Sequence, residues 1–159
     1  MGSHPNALHI RGMTKEIATL LFQAGFKTLR LGLETSAFNN RKELDMKVTE
    51  DEFVNTIRLL REAGFKKDQV GAYLLAGLPD QTKESIEASI RRVKQSSVTP
   101  VMAYYSPIPH TALWEKAAAA SRYDLAADPI FTNNAIFPCR KEPFSWETIT
   151  RLKDVVSGG

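Results

Sequence analysis

Cysteine is almost missing: the 159 residues hold one, Cys139, so the chain can build neither an internal disulfide nor a zinc finger from its own thiols. A reducing, cytoplasmic compartment is the simplest setting for such a chain. No apolar run approaches the ~20 residues that a membrane span needs, and the amino terminus lacks the basic-then-apolar pattern of a signal peptide. No membrane partner is expected. Charge of one sign is also scarce, because 21 Lys and Arg against 18 Asp and Glu leave a formal +3 with no block of like charges. That balance, with no aromatic-interleaved basic stripe, gives nucleic-acid binding no support. Neither a glycine-rich phosphate loop nor a carboxylate and histidine cluster follows any apolar run, which weighs against an ordinary phosphate- or metal-dependent barrel enzyme.

What is present is the composition of a soluble globular chain, 43% hydrophobic and 25% charged, enough to bury one core. Met1-Gly2-Ser3-His4 reads as the remnant of an expression vector, residues 1–4, with native sequence from Pro5. The chain then starts directly on Ala7-Leu8-His9-Ile10, which suggests a truncated boundary.

A repeat organises the first half: Leu20-Leu21-Phe22-Gln23-Ala24-Gly25-Phe26 returns as Leu59-Leu60-Arg61-Glu62-Ala63-Gly64-Phe65. Each copy ends a helix and leads into a strand. Gly25 and Gly64 suit the left-handed position past a helix end, where the following Phe folds back on the last turn. Thr49-Glu50-Asp51-Glu52 is a capping box, followed by Phe53, Val54, Ile57, Leu60 and Ala63 at helical spacing. Thr14 opens an earlier helix with Ile17, Ala18, Leu21 and Ala24 on one face, and Thr82 a later one with Ile86, Ile90 and Val93.

The predicted order is a strand near 7–11, helix 15–24, strand 28–34, helix 50–63, strand 70–76, helix 83–95 and strand 100–105. Strict alternation means an α/β fold with a parallel sheet. About four strand-helix units are half of an eight-unit barrel of ~250 residues, so a half TIM-type barrel is expected. After Pro109 the texture changes: an alanine-rich helix spans 111–123, residues 128–143 read as irregular, and Ser145 caps a last helix with Ile149, Leu152 and Val155. Two open parallel edges would remain, and a homodimer through them, or the tail packed over one, is the expected remedy.

Ligands of parallel sheets sit at the carboxy-terminal strand ends, so the informative residues follow the apolar runs. These are Arg11, Glu34 with Thr35 and Ser36, Gly77-Leu78-Pro79, and Ser106-Pro107-Ile108-Pro109. A carboxylate such as Glu34 can accept two hydrogen bonds from a vicinal diol, or it can pair with Arg30 or Arg11. Gly77 can admit a planar ligand close to backbone, or form an ordinary turn. Ser106-Pro107-Ile108-Pro109 is extended by its prolines, as a pocket wall or a stiff connection. His9 reads as a core histidine, His110 as a rim residue, Cys139 as a half-buried apolar residue, and Tyr73, Tyr104 and Tyr105 as packed strand tyrosines or, where one faces inward, as a border of a substrate site.

Taken in order, Gly32-Leu33-Glu34-Thr35-Ser36, Lys47-Val48-Thr49, Leu75-Ala76-Gly77-Leu78-Pro79-Asp80-Gln81-Thr82 and Tyr105-Ser106-Pro107-Ile108-Pro109-His110-Thr111 resemble the second half of radical S-adenosylmethionine (SAM) enzymes, especially the cobalamin-binding branch. The resemblance covers nearly the whole chain from Pro5. It implies residues 5–113 as the C-terminal half of a radical SAM barrel and 114–159 as an extension packing on it. It further implies that Glu34 and Ser36 bind the ribose of SAM, that Leu75 and Gly77 pack against the adenine, and that the backbone at Tyr105 and Ser106 meets the adenine edge. Tyr73 stands where the family's G-x-I-x-G-x-x-E pattern has its first Gly, and Asp80 where it has Glu.

The C-x-x-x-C-x-x-C loop of the family is missing, and one cysteine cannot hold a 4Fe-4S cluster that needs three thiolates. The expectation is therefore a fragment without catalytic residues or metal ligands of its own, inactive alone. Its parent, with the N-terminal half of the barrel as partner, would cleave SAM at the cluster to start radical chemistry, with cobalamin as a further cofactor of that branch. A non-catalytic interaction module on a half-barrel, or a piece of an unrelated barrel, is the competing expectation.

Overall fold

The computed structural model describes residues 8–34 and 48–158. Helix α1 (Lys15–Gln23) precedes strand β1 (Leu29–Glu34), α2 (Glu50–Ala63) precedes β2 (Val70–Ala76), and α3 (Lys83–Gln95) precedes β3 (Thr99–Tyr104). The three strands form one parallel sheet in the order β1-β2-β3. The α/β class and parallel pairing are as expected; the number of full strands is not. Of the strand predicted near 7–11, the described residues contribute an isolated parallel bridge, Leu8 to Leu31. The Leu8 N–H donates to the Arg30 carbonyl at 2.7 Å, and the Gly32 N–H to the Leu8 carbonyl at 3.0 Å. The chain then turns at Gly12 toward α1 instead of continuing along β1.

Helix starts follow the local chemistry. Thr49 Oγ1 accepts from the Glu52 N–H at 3.1 Å while Glu52 Oε2 accepts from the Thr49 N–H at 2.7 Å, closing the capping box. Thr14 and Thr82 cap α1 and α3 through the Ile17 and Ser85 amides. Helix ends follow the repeat: Gly25 and Gly64 are left-handed (φ 78° and 113°), and Phe26 and Phe65 donate back to the Leu21 and Leu60 carbonyls. The two copies touch, because the Phe22 ring meets Phe65 edge-on at 5.3 Å between centroids.

Leu29, Leu31 and Leu33 of β1 and Val70, Ala72, Leu74 and Ala76 of β2 are buried in one cluster with Ala18, Phe53, Ile57, Leu60, Ile86, Ile90 and Val93. All the helices that feed this cluster therefore share one face of the sheet. Alternate residues on the opposite face, including Arg30, Gly32, Tyr73, Leu75 and Val101, are half-buried. Gly71 lies beneath Arg30 on that face: a Cβ there would stand 3.0 Å from Arg30 Cδ.

Three expectations about side chains are corrected. Ile17 and Val54, assigned to core stripes, are 42% and 46% exposed, because α1 and α2 pack over the sheet through Ala18 and through Phe53, Ile57 and Leu60. His9 is exposed, since the chain leaves the sheet after Leu8. Cys139 is fully buried rather than half-buried.

The tail forms α4 (Trp114–Ala120), two short 3-10 turns (Pro129–Thr132 and Asn134–Ile136) and α5 (Trp146–Ser157). Helix α5, capped by Ser145, lies against α3 and β3, with Leu152 buried in the main core. Glu87 of α3, its side chain only 7% exposed, receives Arg151 of α5 at 2.6 Å and Arg91 at 3.0 Å. Asn134 Nδ2 donates to the Tyr104 carbonyl at the end of β3. A second, smaller cluster gathers Ala117, Leu125 and Cys139 with Tyr105 and Trp114 packed against it.

Candidate functional site

Parallel order aligns the carboxy-terminal ends of the three strands, so Glu34, Ala76-Gly77 and Tyr105-Ser106 leave the sheet along one rim. Neighbouring strands lie roughly 4.8 Å apart, which puts the two ends of this rim about 10 Å from each other. The register of β1 slips at its end, between Gly32 and Glu34, and Glu34 itself has a left-handed backbone, φ 65°. The slip passes over Leu33 and leaves Glu34 opposite Leu74 as the last residue of the ladder. Its side chain is exposed, and among the described residues it has neither a hydrogen-bond nor an ion-pair partner. Arg30 and Arg11, the expected structural partners, are engaged elsewhere: Arg30 Nη1 donates to the Leu29 carbonyl, and Arg11 Nε to Glu52. Ser36 and Thr35 lie outside the described residues.

Leu75 is half-buried on the face away from the helices. Gly77 is left-handed, φ 92°, and a Cβ there would meet the Phe137 ring at 3.1 Å. The loop after β2 closes on Gln81, a residue that inspection of strand ends passed over. Its Oε1 accepts from the Gly77 N–H at 2.8 Å and the Leu78 N–H at 3.2 Å, while its Nε2 donates to the Leu75 carbonyl at 2.9 Å. One side chain thus occupies polar groups of both residues expected beside an adenine. The available sequence signal was an amide-bearing side chain four residues beyond a turn glycine, which can reach back to the turn's own backbone.

At the third strand end, the Tyr105 N–H continues the ladder by donating to the Ala76 carbonyl at 2.9 Å. The Tyr105 ring packs toward the tail cluster, where burial and then the neighbouring Cys139 push its hydroxyl pKa upward. Ser106 is half-buried, Pro107 buried, and Ile108 and His110 exposed. A separate open groove of about 450 Å³ lies between Asp80-Gln81-Thr82, the end of α4 and residues 139–142.

A 4Fe-4S cluster does not fit these residues. Cys139 is 1% exposed, and burial raises its thiol pKa to about 11, the opposite of what a thiolate ligand needs. No group of three or more His, Cys, Asp or Glu among the described residues could hold a metal ion. The rim does offer the exposed Glu34 carboxylate, without an ion-pair partner among the described residues, and the half-buried Leu75. No helix among the described residues is long and apolar enough to cross a membrane.

The family model of the radical SAM superfamily matches residues 2–93, more than half of the chain. The chain belongs to the radical SAM superfamily. Among curated proteins, this radical SAM chain is 22% identical over 111 residues to an uncharacterised methyltransferase of Pyrococcus horikoshii, covering 69% of the chain and 24% of the relative. Among solved structures, it resembles coproporphyrinogen III oxidase (HemN), a radical SAM enzyme of Escherichia coli, with TM-score 0.56 and 23% identity over 67% of this chain and 25% of that one. It also resembles the radical SAM methyltransferase TsrM of Kitasatospora setae, solved with cobalamin and a 4Fe-4S cluster, with TM-score 0.55 and 19% identity over 69% and 22%. The open three-stranded sheet is thus a part of the radical SAM partial barrel, and the chain spans about a quarter of the length of the proteins it matches.

Proposed function

We propose that residues 5–113 are the C-terminal part of a radical SAM core, that 114–159 are an extension docked on it, and that the rim receives the adenosyl portion of S-adenosylmethionine. The observation that carries this reading is the exposed Glu34 carboxylate, without a side-chain partner among the described residues, on a rim shared with Leu75, Gly77, Tyr105 and Ser106, in a chain of this superfamily. The Glu34 oxygens can accept from both ribose hydroxyls, with Ser36 nearby in sequence. Leu75 offers an apolar face to the adenine. The polar backbone at Tyr105 and Ser106 meets its edge, and Gly77, which has no side chain, lets the Phe137 ring close against the end of β2 behind that surface.

In this reading the 4Fe-4S cluster is held by residues of a longer protein, whose barrel continues from the β1 side. The methyltransferase relative and TsrM favour the cobalamin-binding branch for that protein. A single buried thiol suits a reducing cytoplasm. The second reading is a non-catalytic interaction module on the same scaffold.

Titration with S-adenosylhomocysteine, followed through backbone amide shifts, separates the two. Shifts are expected at Leu75, Gly77, Tyr105 and Ser106, and Glu34→Ala is expected to weaken binding by about tenfold or more, as hydrogen bonds to a charged acceptor contribute roughly 1.5–3 kcal/mol. A chain whose rim amides ignore the ligand at saturating concentration supports the interaction module instead. In the longer protein, reconstituted anaerobically, the same substitution is expected to reduce conversion of SAM to 5′-deoxyadenosine.

A further inference from the structure

The rim loop after β2 is held from two sides. From within, Gln81 binds the Leu75 carbonyl and the Gly77 and Leu78 amides. From outside, the tail presses on the same loop: the Phe137 ring covers Gly77, and Arg140 Nη1 donates to the Gln81 carbonyl. The tail turn that delivers both groups is itself unusual. Phe137 has a left-handed backbone, φ 48°, which a bulky residue adopts only when its surroundings impose it.

Here the surroundings include Arg122, whose guanidinium donates to the carbonyls of Ile136, Phe137 and Arg140 and gathers the turn around one cation. The Phe137 ring is then fixed edge-on between Tyr104 at 5.4 Å and Phe144 at 5.4 Å.

We propose that Gln81 and Arg122 are positioning residues for the adenosyl rim: Arg122 shapes the 136–140 turn, the turn seats Phe137 over Gly77, and Gln81 locks the resulting strand end. The extension would then set the ligand affinity of a core surface it does not itself provide. This rests on the rim reading above, and the two fail differently.

Amide exchange is measured on the whole chain and on Gln81→Leu, Gln81→Glu and Arg122→Met, each with S-adenosylhomocysteine titrations. In Gln81→Leu the Gly77 and Leu78 amides lose their acceptor and are expected to exchange at least about tenfold faster, while Gln81→Glu, which keeps an acceptor, retains their protection. Arg122→Met is expected to accelerate the same two amides and to weaken S-adenosylhomocysteine several-fold, although Arg122 lies in the tail. If Arg122→Met frees residues 136–140 but leaves Gly77 and Leu78 exchange and ligand affinity unchanged, the positioning role is wrong. If Gln81→Leu leaves those amides protected, the lock is wrong. Absence of any rim shift in the unsubstituted chain overturns the adenosyl reading itself, whatever the exchange rates do.

Discussion

At the scale of single residues, backbone conformation separates positions that look alike on paper. Gly25 and Gly64 are the same residue of a repeat, and both are left-handed. A Cβ at Gly25 meets nothing within 4 Å, whereas at Gly64 it would stand 2.8 Å from the Phe22 ring. Gly25→Ala should therefore cost only the left-handed backbone, roughly 1–2 kcal/mol. Gly64→Ala should cost more, because Phe22 must also leave its edge contact on Phe65. Urea midpoints for the two variants check this, and equal losses would mean that the Phe22 ring swings aside freely. Two exposed carboxylates, Glu34 and Asp80, also have a left-handed backbone, φ 65° and 59°. The type of Glu34 and its place after Leu33 were legible in the chain, but that Arg11 and Arg30 bond elsewhere was not, since it depends on how the segments pack.

At the scale of elements, caps and apolar spacing located α1, α2 and α3 to within a residue or two, because those signals act through local hydrogen bonds and one-sided burial, whereas the stretch expected as a helix over 111–123, with no side-chain cap, is helical over Trp114–Ala120. Thr49 with Glu52, Thr82 with Ser85 and Ser145 with Thr148 all behave as their spacing predicts. Glu87 was illegible: it lies one position beyond the apolar stripe of α3, and only the arrival of Arg151 from α5 makes its burial tolerable. The Arg151 hydrogen bond holds the Glu87 carboxyl below its ordinary value of 4.5. A depressed folded-state pKa means that the stabilisation is present above the unfolded value and is lost as pH falls through the folded one. Thermal midpoints of the parent chain and Glu87→Gln should thus be separated at neutral pH and converge below about pH 4.5. A gap that persists into acid would assign the effect to packing rather than to the ion pairs.

At the scale of the whole molecule, the extension contributes a helix to the main core and a second cluster around Cys139. The thiol is buried beneath that cluster, so a thiol reagent should leave the native chain unlabelled near neutral pH. Labelling should accelerate in Arg122→Met, in step with amide exchange at 136–140. Rapid labelling of the native chain with its tail amides still protected would remove this account of tail docking.

The order of strands and helices, the parallel sheet and the family's motifs were readable along the chain because each depends on neighbours within about four residues or on a simple alternation. Three features were decided only in the folded molecule: the brief contact of Leu8 instead of a full strand, the exposure of Ile17 and Val54, and the seating of Phe137 over Gly77. Each depends on which distant segment arrives beside it. A local pattern carries no record of a partner sixty residues away, and the geometry of the rim is set by such partners.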